Sequence, residues 1–261
     1  MSIKIIVATH KEWQMPESKI YLPIQVGSLN KKSIGYQRDD EGEHISHLNP
    51  YYSELTALYW AWKNLTVDYL GLVHYRRYFA KDKARYTEEA SIDSLLIDEK
   101  VLEELLVDYD VVVPKKRNYY IETLYSHYAN TLDGEHLDKC RDIISTLQPT
   151  YLGAYDRVMK QRSGYMFNMF IAKKEIVDAY CEWLFPILDS LFDQIEVENL
   201  SAFHQRLFGR VSEILWNVWL AEQKLSIIEQ PFVYLDRINW FKKGMSFLKA
   251  KFLGISYEES F

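Results

Sequence analysis

Only two cysteines occur among the 261 residues, Cys140 and Cys181, and neither stands in a metal-binding or redox spacing. A disulfide framework and an oxidising compartment are therefore not expected. No apolar run approaches the roughly 20 residues that a membrane-spanning helix needs. The opening "MSIKIIVATH" holds a short apolar run but no signal-peptide cleavage pattern, so a cytoplasmic protein is expected. Positive charge is in deficit: 31 Lys and Arg stand against 37 Asp and Glu, a formal net charge of -6. A general nucleic-acid binder wants a basic footprint, so nucleic acid is not an expected partner. A local basic pocket for a phosphate-bearing small molecule stays compatible with that balance. Internal repeats, low-complexity tracts and an obvious two-domain linker are also missing, and the length suits one large domain.

What the chain does have is apolar and aromatic residues, 48% and 15%, including 20 Tyr and 7 Trp. Such rings suit sugar or nucleotide stacking, and equally they fill cores. "IKIIVATHK" reads as a strand, apolar from Ile3 to Ala8 and ending in Thr9, His10 and Lys11. "IYLPIQVG" reads as a short second strand, at an edge because of Pro23. Residues 28 to 48, with Asp39, Asp40, Glu41 and Gly42, read as loop. "NPYYSELTALYWAWKN" is expected to be one helix, with Asn49 as N-cap and Pro50 at the first helical position. Tyr51, Leu55, Leu58, Tyr59 and Trp62 would face the core. "DYLGLVHY" follows as a strand whose near-continuous apolar character suits a parallel strand covered on both faces. A helix around Lys100 to Leu106, a strand in "DYDVVVP" and a strand in "GYMFNMFIAKK" come next. A helix in "EIVDAYCEWLFPILDSL" kinked before Pro186, a helix from about Leu200 to Gln223 and a strand in "SIIEQPFVYL" complete the pass. The expected fold class is α/β, a mostly parallel central sheet flanked by helices.

In open α/β sheets, ligands sit beyond the carboxyl ends of the strands. Two such ends carry cations, Thr9-His10-Lys11 and His74-Tyr75-Arg76-Arg77. Two strands delivering cations to one edge make an anion pocket, and the planar guanidinium fork suits phosphate. The plainer alternative leaves Arg76 and Arg77 as surface charges or as partners of Glu54 or Asp68. Asp108-Tyr109-Asp110 is a DxD-like string that precedes its strand; it reads as two acids at a junction, with a metal site as the second reading. Asn168 stands among apolar residues, where a buried amide needs partners. Glu213 falls on a helix, where a carboxylate can deprotonate a hydroxyl. His127 shares a helical face with Thr123 and is a candidate base, with an ordinary core or surface histidine as the alternative.

The pattern "NPYYSELTALYWAWKN" followed by "GLVHYRRYF" resembles a family of bacterial glycosyltransferases from capsular and exopolysaccharide clusters, galactofuranosyltransferases included. The resemblance continues through "NYYIETLYSHYA", "GYMFNMFIAKK", "YCEWLFPIL" and "RLFGRVSEIL", from about residue 3 to about residue 250. It implies a single-sheet fold of the GT-A type and transfer of a hexose from a UDP-sugar to a lipid-linked glycan, with inversion. A transferase domain over 1–238 is then expected, with a nucleotide-binding half over 1–114 and an acceptor half over 115–238. A basic and aromatic tail, 239–261, follows.

In many such enzymes a strand at this place ends in a DxD motif that holds a divalent metal. Here it ends in His74-Tyr75-Arg76-Arg77, which implies that Arg76 and Arg77, helped by His74, replace the metal against the leaving diphosphate. No cofactor is then required; Mn or Mg held at Asp108 and Asp110 is the alternative. Thr9, His10 and Lys11 would receive base and ribose, Asp40 would close over the nucleotide, and Glu54, Tyr75 and Asn168 would line the donor pocket. His127 and Glu213 would serve the acceptor hydroxyl. The chain departs from the family pattern at His44, where the family has Asn, at Leu132 and Asp133, where it has further histidines, and at Ile214, where it has Arg. The tail sets Lys242, Lys243, Lys249 and Lys251 among Trp240, Phe241, Phe247, Leu248 and Phe252. It reads either as an interfacial segment on the inner membrane surface or as a last helix packed on the core. A nucleotidyltransferase and a non-catalytic scaffold of a polysaccharide assembly complex are the rival functions.

Overall fold

The computed structural model describes residues 1–82 and 91–235. The chain opens with β1 (Ile3–Thr9), β2 (Tyr21–Gln25) and the two-residue β3 (Gln37–Arg38). Helices α1 (Asn49–Tyr52) and α2 (Leu55–Asn64) follow, then β4 (Tyr69–His74) and β5 (Arg77–Phe79). Next come α3 (Ile92–Leu95), α4 (Glu99–Asp108), β6 (Val111–Pro114) and β7 (Arg117–Asn118). The remainder holds α5 (Leu124–Ala129), α6 (Glu135–Leu147), α7 (Leu152–Met159), β8 (Ser163–Gly164) and β9 (Phe170–Lys173). It closes with α8 (Lys174–Phe192), α9 (Ala202–Gln205), α10 (Leu207–Glu222), β10 (Ile227–Gln230) and β11 (Phe232–Tyr234). The expected tail, 239–261, lies outside the described residues.

The main sheet runs in the order β10-β6-β9-β4-β1-β2-β3. β1, β2, β3 and β4 are parallel to one another, and β10 is parallel to β6. β9 alone on this path is antiparallel, between β4 and β6. The mostly parallel α/β sheet is as expected, but the reversed strand was not. β9 belongs to the second half of the chain yet sits inside the sheet of the first, so the two halves interleave. Gly71 of β4 makes room for it: a Cβ there would lie 2.8 Å from Ile171 Cγ1 and 3.1 Å from the Phe170 carbonyl oxygen.

Side chains alternate across the sheet, so each apolar strand feeds two cores. Ile6, Ala8, Leu70, Leu72, Val111 and Val113 join one core with α2, α6, α7, α8 and α10. Ile3, Ile5, Val7, Val73, Val112 and Ile171 join the other with α3, α4, β5 and β11. Near-continuous apolar runs in β1 and β4 are the sequence trace of that double coverage.

Five expectations need correction. The helix expected over 49–64 is broken at Ser53, which takes φ 52 and separates α1 from α2. Asn49 is not its cap; the Asn49 amide donates forward to the Ser53 carbonyl at 2.8 Å, and Arg206 Nε donates to Ser53 Oγ at 3.1 Å. The strand expected through "GYMFNMFIAKK" starts only at Phe170, because Phe167 and Asn168 turn the chain with φ 78 and φ 50. Pro231 divides the late strand, and its two pieces pair with different partners, β10 with β6 and β11 with β5. The helix expected from Leu200 to Gln223 likewise divides into α9 and α10.

Candidate active site

Since β9 is antiparallel, its amino end lies beside the carboxyl ends of β1 and β4. The turn at Phe167-Asn168 therefore joins Thr9-His10-Lys11 and His74-Tyr75-Arg76-Arg77 on one edge. Thr9 is buried, and its hydroxyl donates to the Lys11 carbonyl at 2.7 Å, bending the chain as β1 ends. Tyr75 is also buried and stands between two imidazoles, with ring centroids 5.5 Å from His10 and 4.3 Å from His74. Lys11 extends its ammonium to 4.6 Å from the Trp13 ring.

Burial, then the charges of Arg77 and Arg76 with smaller effects of His10 and Arg206, holds the His74 pKa well below 6.5. The Arg76 backbone N–H donates to His74 Nδ1 at 3.4 Å, as a neutral ring allows. His10 is pushed in the same direction by burial, then by Lys11, Arg206, Arg76 and Lys31. In a chain of net negative charge, this is a concentrated positive field beyond two strand ends.

Carboxylates flank that field. Glu213, on α10, has its pKa raised from 4.5 by burial and by Glu54, against the opposing pull of Arg77, the Phe167 backbone and Arg210. The Phe167-Asn168 turn fastens these groups. The Phe167 ring lies 4.5 Å beneath the Arg77 guanidinium. The Asn168 amide donates to Glu54 Oε1 at 2.8 Å and to the Gly209 carbonyl at 2.9 Å, while its oxygen accepts from Ser212 Oγ at 2.9 Å. Asn168 thus ties down the turn, and Glu54 is oriented by it. Asp68, the other acid weighed as an arginine partner, accepts instead from the Ser2 backbone N–H at the start of β4.

A third group sits on α5 and the segment before it. Glu122, 3% exposed, meets His127 Nδ1 at 2.9 Å and accepts from Asn130 Nδ2 at 2.7 Å. The Tyr119 ring lies 4.1 Å from that of His127. Burial lowers the His127 pKa although Glu122 opposes this, and Arg117 and Arg210 are near enough to lower it further. Arg210 and Glu213 also act on Tyr119, so this group borders the carboxylate pair.

Asp40 follows β3 at the carboxyl edge that also carries Thr9-His10-Lys11, whereas Asp108 and Asp110 lie at the other edge. Asp40 pairs with Arg38 at 2.7 Å and accepts from Ser28 Oγ. Its neighbour Asp39, fully buried, accepts from the N–H groups of Gly27 and Ser28 and the hydroxyls of Ser28, Ser46 and Thr56, an anchor for the loop after β2. Asp110 accepts from Ser226 and meets Lys173 at the amino end of β6, the opposite edge of the sheet, and Asp108 ends α4 there. Among the described residues no group of three or more His, Cys, Asp or Glu is placed to hold a metal ion. The strand end His74-Tyr75-Arg76-Arg77, which carries no carboxylate, does not fit a DxD-type metal centre.

Sequence reading missed Arg206, Arg210, Phe167 and the partnership of Glu122 with His127. One signal was there: Arg206, Arg210 and Glu213 recur at i, i+4 and i+7, one face of a helix.

A family model described as a domain of unknown function, DUF4422, matches residues 4–224. No curated protein matches the chain. The apo structure of WbbM, a bifunctional glycosyltransferase, superposes with a TM-score of 0.81 at 30% identity, over 91% of this chain and 46% of that one. The chain thus spans about half the length of that relative. Among the described residues no helix is long and apolar enough to cross a membrane.

Proposed function

The chain belongs to the DUF4422 family, and from that premise we propose that it is a glycosyltransferase moving a hexose from a UDP-sugar to a hydroxyl of a lipid-linked glycan. The observation that carries the reading is the convergence of His10, His74, Arg76, Arg77 and Arg206 beyond β1 and β4. Likeness to a glycosyltransferase over 91% of the chain supports the reaction class. A cytoplasmic location at the inner membrane face, and galactofuranose as the hexose, belong to the same proposal and follow the resemblance of the "HYRRYF" segment.

The chemistry asks for fixed positive charge where a nucleoside diphosphate departs. As the bond from the anomeric carbon to the diphosphate breaks, its electron pair leaves with the nucleotide, and Arg76 and Arg77 meet the growing charge. Arg206 adds to the same field, and His74, neutral in the free protein, gains a proton as the diphosphate binds. Glu213 takes the proton of the acceptor hydroxyl as the oxygen attacks from the opposite face, giving inversion. Burial and Glu54 raise its proton affinity, which makes it a stronger base than an exposed glutamate. The pair of Glu122 and His127 borders the acceptor side. No step requires a divalent cation.

A thermal-shift panel of nucleotides and nucleotide sugars, with and without manganese, followed by product analysis, tests the proposal. Stabilisation by UDP and release of free UDP in excess chelator are expected. Pyrophosphate as product would indicate a nucleotidyltransferase, absence of UDP binding a scaffold, and turnover restored only by manganese a metal-dependent enzyme.

A further inference from the structure

Large apolar side chains that stand in solvent are scattered singly at Met1, Leu29, Val107 and Leu147, which is ordinary for a protein surface. Tyr120 and Ile121 differ. They are adjacent, 79% and 55% exposed, on the loop that leaves the β7–β8 ribbon. The loop is built rather than loose. Tyr120 takes φ 55, an unfavourable conformation for a tyrosine, and the Arg162 guanidinium holds its carbonyl at 3.1 Å. The Ile121 N–H donates to the Tyr119 carbonyl at 2.6 Å. The strain is not repaid by burial of either side chain. Immediately behind this tip, Tyr119 and Glu122 face inward and hold His127.

Lys115 and Lys116, just before β7, and Arg162, just before β8, are exposed beside this ribbon, in a chain whose net charge is -6. An amphipathic ring, an aliphatic residue and a rim of cations match the border between lipid headgroup and acyl chain. We propose that the Tyr120-Ile121 tip inserts into an anionic lipid surface and that Lys115, Lys116 and Arg162 meet its phosphates. This docking would set the cluster around His127 toward the membrane. It stands independently of the transferase reading and of the tail.

Sedimentation of the intact chain with vesicles of phosphatidylcholine containing phosphatidylglycerol, and with phosphatidylcholine alone, tests it. Binding is expected only to the anionic vesicles and should weaken as salt rises. Tyr120→Ser combined with Ile121→Ser should lower the vesicle affinity by about tenfold or more, with an unchanged melting temperature. Cys140 and Cys181 are buried, so Ile121→Cys labelled with an environment-sensitive fluorophore gives a direct readout. A blue shift on anionic vesicles is expected. Undiminished binding by the double variant, or a label that stays in water on bound vesicles, would overturn the proposal. So would an effect of the double variant confined to soluble glycan binding, which would make the tip a sugar platform.

Discussion

Asn168 and Glu54, 114 positions apart in the chain, are joined by a 2.8 Å hydrogen bond from amide to carboxylate. The bond fixes the start of α2 to the turn before β9. The same amide reaches α10 through the Gly209 carbonyl, and the same turn carries the ring beneath Arg77. One asparagine in a left-handed conformation therefore aligns three elements that bear the candidate chemistry.

Replacing that residue should cost stability first. Asn168→Gly keeps the backbone at ease but leaves Glu54 and the Gly209 carbonyl short of a donor, a loss of about 1–3 kcal/mol. Asn168→Ala adds strain at φ 50, roughly a further 1 kcal/mol. Urea unfolding of the two variants separates amide from backbone; equal stability to the parent would show that the amide is replaced by water without loss.

Arg76→Ala and Arg77→Ala should each lower turnover by about two to three decades, the usual result of removing one group that meets transition-state charge. UDP release under saturating donor measures it. Arg77→Lys should not restore the rate fully, because an ammonium loses both the planar stack on Phe167 and the forked contact. A normal rate for both alanine variants would remove the diphosphate role.

Glu213→Gln should abolish most turnover while UDP binding persists. Its effect on stability has the opposite sign. The folded-state pKa of Glu213 lies above 4.5, so the folded protein holds this proton more tightly than the unfolded chain. That contribution is full below 4.5 and is lost as pH rises through the folded value. At neutral pH the glutamine variant should therefore be as stable as the parent or more so, and the difference should shrink toward pH 4. Melting temperatures across that range provide the check.

His74 gives the converse case. Its folded-state pKa lies well below 6.5, so it contributes stability above 6.5 that is lost as pH falls through that value toward the folded one. A bound diphosphate would offset the repulsion from Arg76, Arg77, His10 and Arg206 and raise that pKa. UDP binding should take up protons and tighten from pH 7.5 to pH 6. Calorimetry in buffers of different ionisation enthalpy measures the uptake, and His74→Gln should diminish it.

The strand ends that carry the cations were legible because a buried apolar run that stops at Arg or His leaves a plain mark, as at Val73-His74 and Ala8-Thr9-His10. The turn at Phe167-Asn168 was not. Apart from Asn168, "YMFNMF" is apolar and reads as strand, and Phe167 gives no sign of a positive φ; the asparagine, which tolerates that conformation, was the one local hint. Ser53 was hidden for a similar reason: a serine is tolerated in a helix, and the Arg206 that fixes it lies 153 positions away. Arg206 and Arg210 read as solvent charges until α10 is placed against the sheet edge. The expected cap at Asn49 failed because Asn49 is itself helical, with φ -54 and ψ -35, and Leu48 holds the position before the helix.

The position of β9 bears on how such a chain acquires its shape on the ribosome. β1, β2 and β4 are complete by residue 74, but the strand that covers the open side of β4 is not synthesised until residue 173. For about a hundred residues of translation the nascent sheet presents a bare, apolar border, which is the species that chaperones would be expected to shelter.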